Sequence, residues 1–124
     1  MTTPYQQLDE LALFRPRWDG EDALVIDPAI IAAARSFLEQ LPDDLSKPLV
    51  MPCPAGTLQF EWESMPQPGQ RYLELEFETP TTIHYLRQDS EGDLDEEDVF
   101  DIEDIDRAVS LIRWFEVNKL KEMQ

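Results

Sequence analysis

Two stretches of alternating polarity decide the fold: Leu58-Gln-Phe-Glu-Trp-Glu63 and Arg71-Tyr-Leu-Glu-Leu-Glu-Phe-Glu78. Alternation with a period of two is typical of β-strands that bury one face and expose the other. The segment between them, residues 65–70, is rich in proline and glycine and predicts a turn, so the two strands form a hairpin. The β-prone residues 81–87 add a third antiparallel strand. The prolines between residues 48 and 54 allow at most a short edge strand there.

Three helices are predicted around this meander. Apolar residues at helical spacing predict a short helix over residues 5–14. Asp27 as N-cap and Pro28 at the first helical position begin a second helix, which runs to about residue 41. A third helix, residues 102–122, is predicted to begin after Asp101 as its N-cap. The sequence therefore predicts a single α+β domain over residues 1–124. In it, N-terminal and C-terminal helices pack on the inner face of a three-stranded, or at most four-stranded, antiparallel meander.

The chain is strongly acidic: Lys and Arg together number 10, Asp and Glu number 27, and the net charge is −17. Such a field repels nucleic acid and anionic lipid, and it accelerates association with basic surfaces. No run approaches the roughly 20 apolar residues of a membrane-spanning helix, so we expect no membrane role. Cys53 is the only cysteine and no basic-apolar leader is visible, so we expect a cytoplasmic protein.

The hairpin gathers carboxylates on one face of the sheet. If its apolar residues point inward, five glutamates point outward together: Glu61, Glu63, Glu74, Glu76 and Glu78. Neighbouring side chains on such a face are about 5–7 Å apart, close to the separation of successive phosphates in a nucleic-acid strand. We interpret the array as a candidate binding surface for a basic partner. The alternative is a solvated face whose charge only prevents aggregation.

A second acidic segment follows the meander. Residues 89–106 contain eleven acidic residues and no Lys or Arg, and we predict an acidic, mobile loop over residues 89–100. Its candidate partner-binding residues are Asp93, Asp95, Glu96, Glu97 and Asp98. Tyr72 and Trp114 are candidate aromatic anchors, because charges alone do not supply the desolvated contacts that hold a complex together. The ordered sheet is favoured over the loop, since a rigid array loses less entropy on binding.

The sequence does not indicate catalysis. His84 is the only histidine, and neither Cys53 nor any serine lies in a recognisable nucleophile motif. There is no glycine-rich phosphate loop. The acidic run fails as an EF-hand, because Asp98 or Phe100 falls where Gly or Glu is required. We therefore predict no enzyme activity, no catalytic residue, no cofactor and no metal site.

The stretch Arg17-Trp-Asp-Gly20, followed by Ile26-Asp-Pro-Ala-Ile-Ile31, resembles a pattern in small uncharacterised bacterial proteins, often plasmid- or phage-borne. In that pattern a Trp-Asp-Gly turn precedes a helix that starts with proline. The resemblance covers about the first 40 residues and implies no function. In size and charge, but in no motif, the chain is also similar to acidic phage-encoded inhibitors that mimic DNA, including some anti-CRISPR proteins.

These features favour a non-enzymatic binding module or inhibitor of the antitoxin, immunity or anti-CRISPR type. It would occupy a basic, nucleic-acid-binding surface of a protein partner and bind no nucleic acid itself. The alternative is a homodimeric structural or assembly protein whose acidity serves solubility. Leu111 and Trp114 point to that alternative, because they widen the apolar stripe of the last helix beyond what one sheet face needs.

Overall fold

An antiparallel sheet with helices on one side forms the frame of the protein. The computed structural model describes residues 3–63, 71–89 and 94–122, and for residues 94–99 and 117–122 it describes the backbone alone. Along the chain the elements are α1 (Pro4–Leu11), α2 (Pro28–Gln40), β1 (Leu49–Pro52), β2 (Leu58–Glu63), β3 (Tyr72–Thr79), β4 (Thr82–Gln88), β5 (Leu94–Asp101) and α3 (Ile105–Glu122). The strands follow the order β1-β2-β3-β4-β5, each antiparallel to its neighbour. The α+β class is confirmed, and the sheet has one strand more than the four predicted at most.

The core lies between the inner face of the sheet and the helices. In β2 and β3, buried residues alternate with more accessible ones, as the polarity pattern predicts. The ring of Phe60 lies 4.8 Å from that of Phe77, 6.1 Å from that of Phe37 in α2 and 6.3 Å from that of Trp62, measured between centroids. Tilted and edge-to-face contacts of this kind add to the stabilisation that burial of the rings itself provides. The opposite side of the sheet, the outer face, carries the more accessible side chains.

The start of α2 follows from its sequence. Oδ1 of Asp27 accepts a hydrogen bond from the backbone N–H of Ala29 at 2.9 Å, and Pro28 occupies the first turn. The first helix is shorter than its predicted range: α1 ends at Leu11. At its start, Thr3 and Gln6 cap each other's backbone N–H groups.

β5 is the main departure from the sequence-based prediction. The prediction of a loop over residues 94–100 is wrong: these residues pair with β4, with Phe100 opposite Ile83. Acidic residues are poor strand formers, so local preference favoured a loop. Tertiary structure overrides it, because the pairing satisfies the backbone groups on the far edge of β4 and buries Phe100, whose ring centroid lies 6.2 Å from that of Tyr85. Residues 90–93 lie outside the described residues.

The strand also shifts the start of the last helix. Asp101 ends β5, and α3 begins at Ile105, so the predicted start after Asp101 is wrong. Oδ1 of Asp104 accepts from the backbone N–H of Arg107 at 3.3 Å and takes the capping position instead. Among the described residues, no helix has both the length and the apolar character that crossing a membrane requires.

The β1 edge of the sheet offers few hydrogen-bond donors. The backbone N–H of Val50, which points away from β2, donates at 2.9 Å to the side-chain oxygen of Gln7 in α1. Pro52, two residues further along the same edge, has no N–H to donate, and neither has Pro48 just before the strand. Prolines within a sheet are confined to edge strands. The short edge strand predicted from the proline spacing therefore fits the position of β1 at the edge of the sheet.

Candidate functional site

The outer face brings the five predicted glutamates together. Strand register places Glu61 directly opposite Glu74, and it places Glu76 opposite Gln59 on one side and His84 on the other. Glu61, Glu74 and Glu76 are half-buried, whereas Glu63 and Glu78 are exposed. Side chains directly opposite each other in a sheet are about 5 Å apart, so the array is fixed by the backbone.

The outer face carries no lysine or arginine among the strand residues of β1–β4. Side-chain alternation and strand register determine which residues of β1–β4 belong to the outer face. These residues are Leu49, Met51, Gln59, Glu61, Glu63, Tyr72, Glu74, Glu76, Glu78, Thr82, His84, Leu86 and Gln88. Two arginines of the helices pair with other carboxylates: Arg35 with Asp9, and Arg113 with Asp44 at 3.0 Å. Neither of these two arginines therefore neutralises the glutamate pair at the centre of the face.

Tyr72 and Gln59 stabilise this central pair with neutral donors. The hydroxyl of Tyr72 lies 2.8 Å from Oε2 of Glu74 and 3.1 Å from Oε1 of Glu61, and it donates to these carboxylates. Nε2 of Gln59 donates to Oε1 of Glu61 at 2.6 Å. Hydrogen bonds to a charged acceptor are stronger than neutral ones. The network offsets the repulsion between the opposed glutamates without cancelling their charge.

The surroundings keep the Tyr72 hydroxyl protonated. Burial raises the pKa of Tyr72 well above its ordinary value, and the hydrogen bond to Glu74 and the charges of Glu74 and Glu61 raise it further. A pKa raised on folding adds stability that is complete below the unfolded pKa, about 10, and is lost as the pH rises through the folded pKa. The donor therefore persists across the whole neutral range.

We expect Tyr72→Phe to lower the free energy of unfolding by about 1–2 kcal/mol, because both carboxylates lose a donor while the ring is retained. Glu74→Gln should remove part of this cost. A double-mutant cycle of the two substitutions, followed by urea denaturation, should therefore give a coupling energy of at least about 0.5 kcal/mol. Tyr5→Phe, which removes a hydroxyl on the helical side, is the control. Strictly additive effects would contradict the assigned network.

Three residues of the outer face form a group that could hold a metal ion. One ligand atom from each of Glu76, Glu78 and His84 lies within 4.8 Å of the others, and Oγ1 of Thr57 donates to Oε2 of Glu76 at 3.0 Å. Imidazole with carboxylates suits zinc and similar ions. The group lies on an open surface with Glu78 exposed, and the expectation of no metal site stays a prediction.

Trp114, a predicted anchor, lies on the other side of the sheet. Arg87 is opposite the buried Leu73 and therefore belongs to the inner face. The guanidinium carbons of Arg71 and Arg87 lie 4.6 Å and 5.1 Å from the centroid of the Trp114 ring, and Arg71 also donates to the backbone oxygen of Trp114. Cation–π contacts of this kind hold the half-buried indole in place. The structure thus separates Trp114 from the glutamates and keeps Tyr72 among them.

The acidic run extends the same sheet. Asp95, Glu96 and Glu97 in β5 are opposite Arg87, Leu86 and Tyr85 of β4, and Asp98 lies within the same strand. Asp93 lies outside the described residues. Because Leu86 is opposite both Glu74 and Glu96, the backbone register places Glu96 in the same row as the central glutamate pair.

Cys53 is not set up as a nucleophile. The side chain is half-buried, and burial raises the pKa of its thiol, with the charges of Glu76, Glu74 and Glu61 acting in the same direction. The thiolate is the nucleophilic form of cysteine. At neutral pH this thiol is therefore protonated.

Two apolar residues of the outer face were missed by the sequence-based prediction. Leu49 and Met51 of β1 are 49% and 37% exposed and are opposite Glu61 and Gln59, respectively. The prolines predict the edge position of this segment but do not indicate which of its side chains are exposed. The signal was present nonetheless, because an alternating strand that buries Val50 must turn both its neighbours outward.

Comparison with protein-family models gave no match, and no curated protein or solved structure matches the chain significantly.

Proposed function

We propose that this protein is a non-enzymatic inhibitor or binding module whose outer face occupies a basic, nucleic-acid-binding surface of a protein partner. Inhibitors of the antitoxin, immunity and anti-CRISPR types fall within this class. We place both the protein and its partner in the cytoplasm. The outer face would act by charge mimicry, offering carboxylates where the partner normally meets phosphates.

One observation carries the proposal: the outer face presents five glutamates in fixed register, with no lysine or arginine among its β1–β4 residues. Opposed like charges cost stability in a sheet. Here the cost is offset by neutral donors, of which Tyr72 is the most central. A surface needed only for solubility could mix the two signs of charge, as protein surfaces commonly do. The arrangement supports a role for the field itself.

The field also favours rapid association. A net charge of −17 attracts a basic patch over distances of about 8–10 Å at physiological salt. Because the strands already hold the carboxylates, little conformational entropy is lost when the partner docks. We therefore expect fast, salt-sensitive association with a rigid partner surface.

The described part of α3 gives less support to the homodimer alternative. Leu111, Ile112 and Phe115 are 6%, 0% and 5% exposed, so this part of the apolar stripe is used within the chain's own core. Trp114 lies against Arg71, which directly precedes β3, and Arg87 of β4. Homodimers bury large apolar surfaces, and these residues do not offer one.

We expect no band shift when the purified protein is mixed with DNA or RNA at physiological salt. Nonspecific affinity for nucleic acid arises from neutralisation of phosphates by basic residues, and the charge of this chain opposes it. An electrophoretic assay with duplex and single-stranded probes provides the measurement. A shift with any probe would refute the proposal, because it would mean that a basic surface dominates over the glutamates.

Affinity capture from the native host tests the proposal directly. The wild-type protein should retain a basic nucleic-acid-binding protein, and excess duplex DNA should release it, because the two ligands share one site. A capture variant with Glu61, Glu74 and Glu76 replaced by glutamine keeps the shape of the face and removes three charges. Retention of the same partner both in excess duplex DNA and by the triple glutamine variant would overturn the proposal.

A further inference from the structure

The outer face combines carboxylates with aliphatic side chains. Strand register defines one row across four strands, Leu49–Glu61–Glu74–Leu86. Leu49 is 49% exposed and Leu86 half-buried. With strands about 4.8 Å apart, the two leucines lie about 14 Å from each other, one on either side of the glutamate pair. The anionic centre of this row is therefore bordered by an apolar residue at the β1 edge, whereas beyond Leu86 the row continues to Glu96 of β5.

The next row repeats this order on one side. Met51, 37% exposed, is opposite Gln59, which is opposite Glu76. Leu49 and Met51 thus form an apolar strip along β1, beside the carboxylates and on the same face. Single exposed apolar residues are common on protein surfaces, but this pair lies along one strand and borders the proposed binding surface.

A polycation without apolar groups would leave this strip in water. A partner that carries aliphatic side chains beside its lysines or arginines would cover the strip and pair the glutamates at the same time. Such covering supplies the desolvated contacts that slow dissociation, whereas the charges mainly speed association. A second copy of this chain is a poor occupant, because its own glutamates would be repelled.

We propose that the outer face docks an amphipathic basic segment of the partner, with arginine or lysine over Glu61, Glu74 and Glu76 and aliphatic side chains over Leu49 and Met51. This inference rests on the proposed function and specifies the chemistry of the partner. Charge complementarity selects the basic side of the segment, and the strip on β1 selects its apolar side.

Two synthetic helical peptides of equal positive charge test the inference. One carries arginines beside leucines, and in the other every leucine is replaced by serine. Fluorescence anisotropy at about 50 mM and about 300 mM salt separates the contribution of charge contacts, which salt weakens, from that of apolar contacts. We expect the protein to bind the leucine peptide at least about tenfold more tightly, and the ratio should persist at high salt, because screening weakens the charge contacts of both peptides alike.

Variants of the protein locate the effect. Leu49→Ser together with Met51→Ser should remove most of the preference for the leucine peptide while leaving the serine peptide unaffected. Leu13→Ser, which removes a leucine that is 79% exposed next to α1, is the control and should change neither affinity. Equal binding of both peptides by the wild-type protein would overturn this inference and leave the proposed function standing. Binding of neither peptide at low salt would overturn the proposed function itself.

Discussion

Replacing Glu61, Glu74 and Glu76 together by lysine is expected to abolish binding to the basic partner, with a loss of affinity of at least about 100-fold. These three side chains are half-buried and occupy the two central rows of the outer face. Each reversal replaces an attractive contact with a repulsive one, and juxtaposed like charges at an interface cost several kcal/mol. Every 1.4 kcal/mol or so corresponds to a tenfold loss. Titration of the captured partner by calorimetry or anisotropy measures the change.

A matched variant separates position from total charge. Glu10, Asp22 and Glu39 are exposed residues outside the sheet, and their reversal to lysine changes the net charge by the same amount. We expect this variant to lose less than about fivefold, through weaker long-range steering alone. Similar losses in the two triple variants would show that overall charge, and not the outer face, determines binding. The melting temperature of each variant confirms that it is folded.

The acidic run needs a milder change, because residues 94–97 form part of β5. Deleting this segment would remove a strand as well as its charge. Asp95→Asn, Glu96→Gln and Glu97→Gln together keep the backbone and remove the carboxylates. If the sheet glutamates form the contact, this variant should bind with modestly slower association and nearly unchanged dissociation. A larger loss here than from the triple reversal would assign the contact to β5.

Phe60→Ala is expected to cause the largest loss of stability, about 3–5 kcal/mol, with a melting temperature lower by about 10–20 °C. Phe60 is fully buried, and its ring contacts Phe37, Phe77 and Trp62. Truncation removes the transfer free energy of the ring and leaves a cavity that three rigid neighbours cannot fill. Urea and thermal denaturation followed by circular dichroism measure the change.

Leu49→Ala provides the comparison on the opposite face. Leu49 is 49% exposed, so its truncation should change the free energy of unfolding by no more than about 0.5 kcal/mol. The two substitutions together test which face of the sheet forms the core. A loss below about 1 kcal/mol for Phe60→Ala would be inconsistent with an aromatic cluster at the centre of the fold.

The parts of the fold that the sequence predicts are those with strong periodicity. Alternation in β2 and β3 identifies both the core and the glutamate array, because a strand has only two faces. The Asp27-Pro28 pair identifies the start of α2 for a similarly local reason. In each case the deciding physics acts within a few residues along the chain, where a sequence can be read directly.

The parts that escape prediction depend on distant partners. β5 forms because β4 needs a neighbour, although the acidic residues of 94–101 are poor strand formers. The position of Trp114 depends on two arginines at the ends of different strands. The sequence does show that both arginines lie on the inner face. Arg71 is two residues from Leu73 and Arg87 is two residues from Tyr85, and residues two apart in a strand share a face. Their meeting over one indole follows only from the packed fold.

Closure of the β1 edge limits how copies of this protein could polymerise. A strand that adds to a sheet must exchange N–H and C=O groups with it, yet Pro52 has no N–H and that of Val50 is already donated to Gln7. Of the two edges that the described strands leave, two copies could then join edge to edge only through β5. The resulting pair would have a closed edge at both ends, so growth by strand addition would stop at the dimer instead of continuing into a fibre.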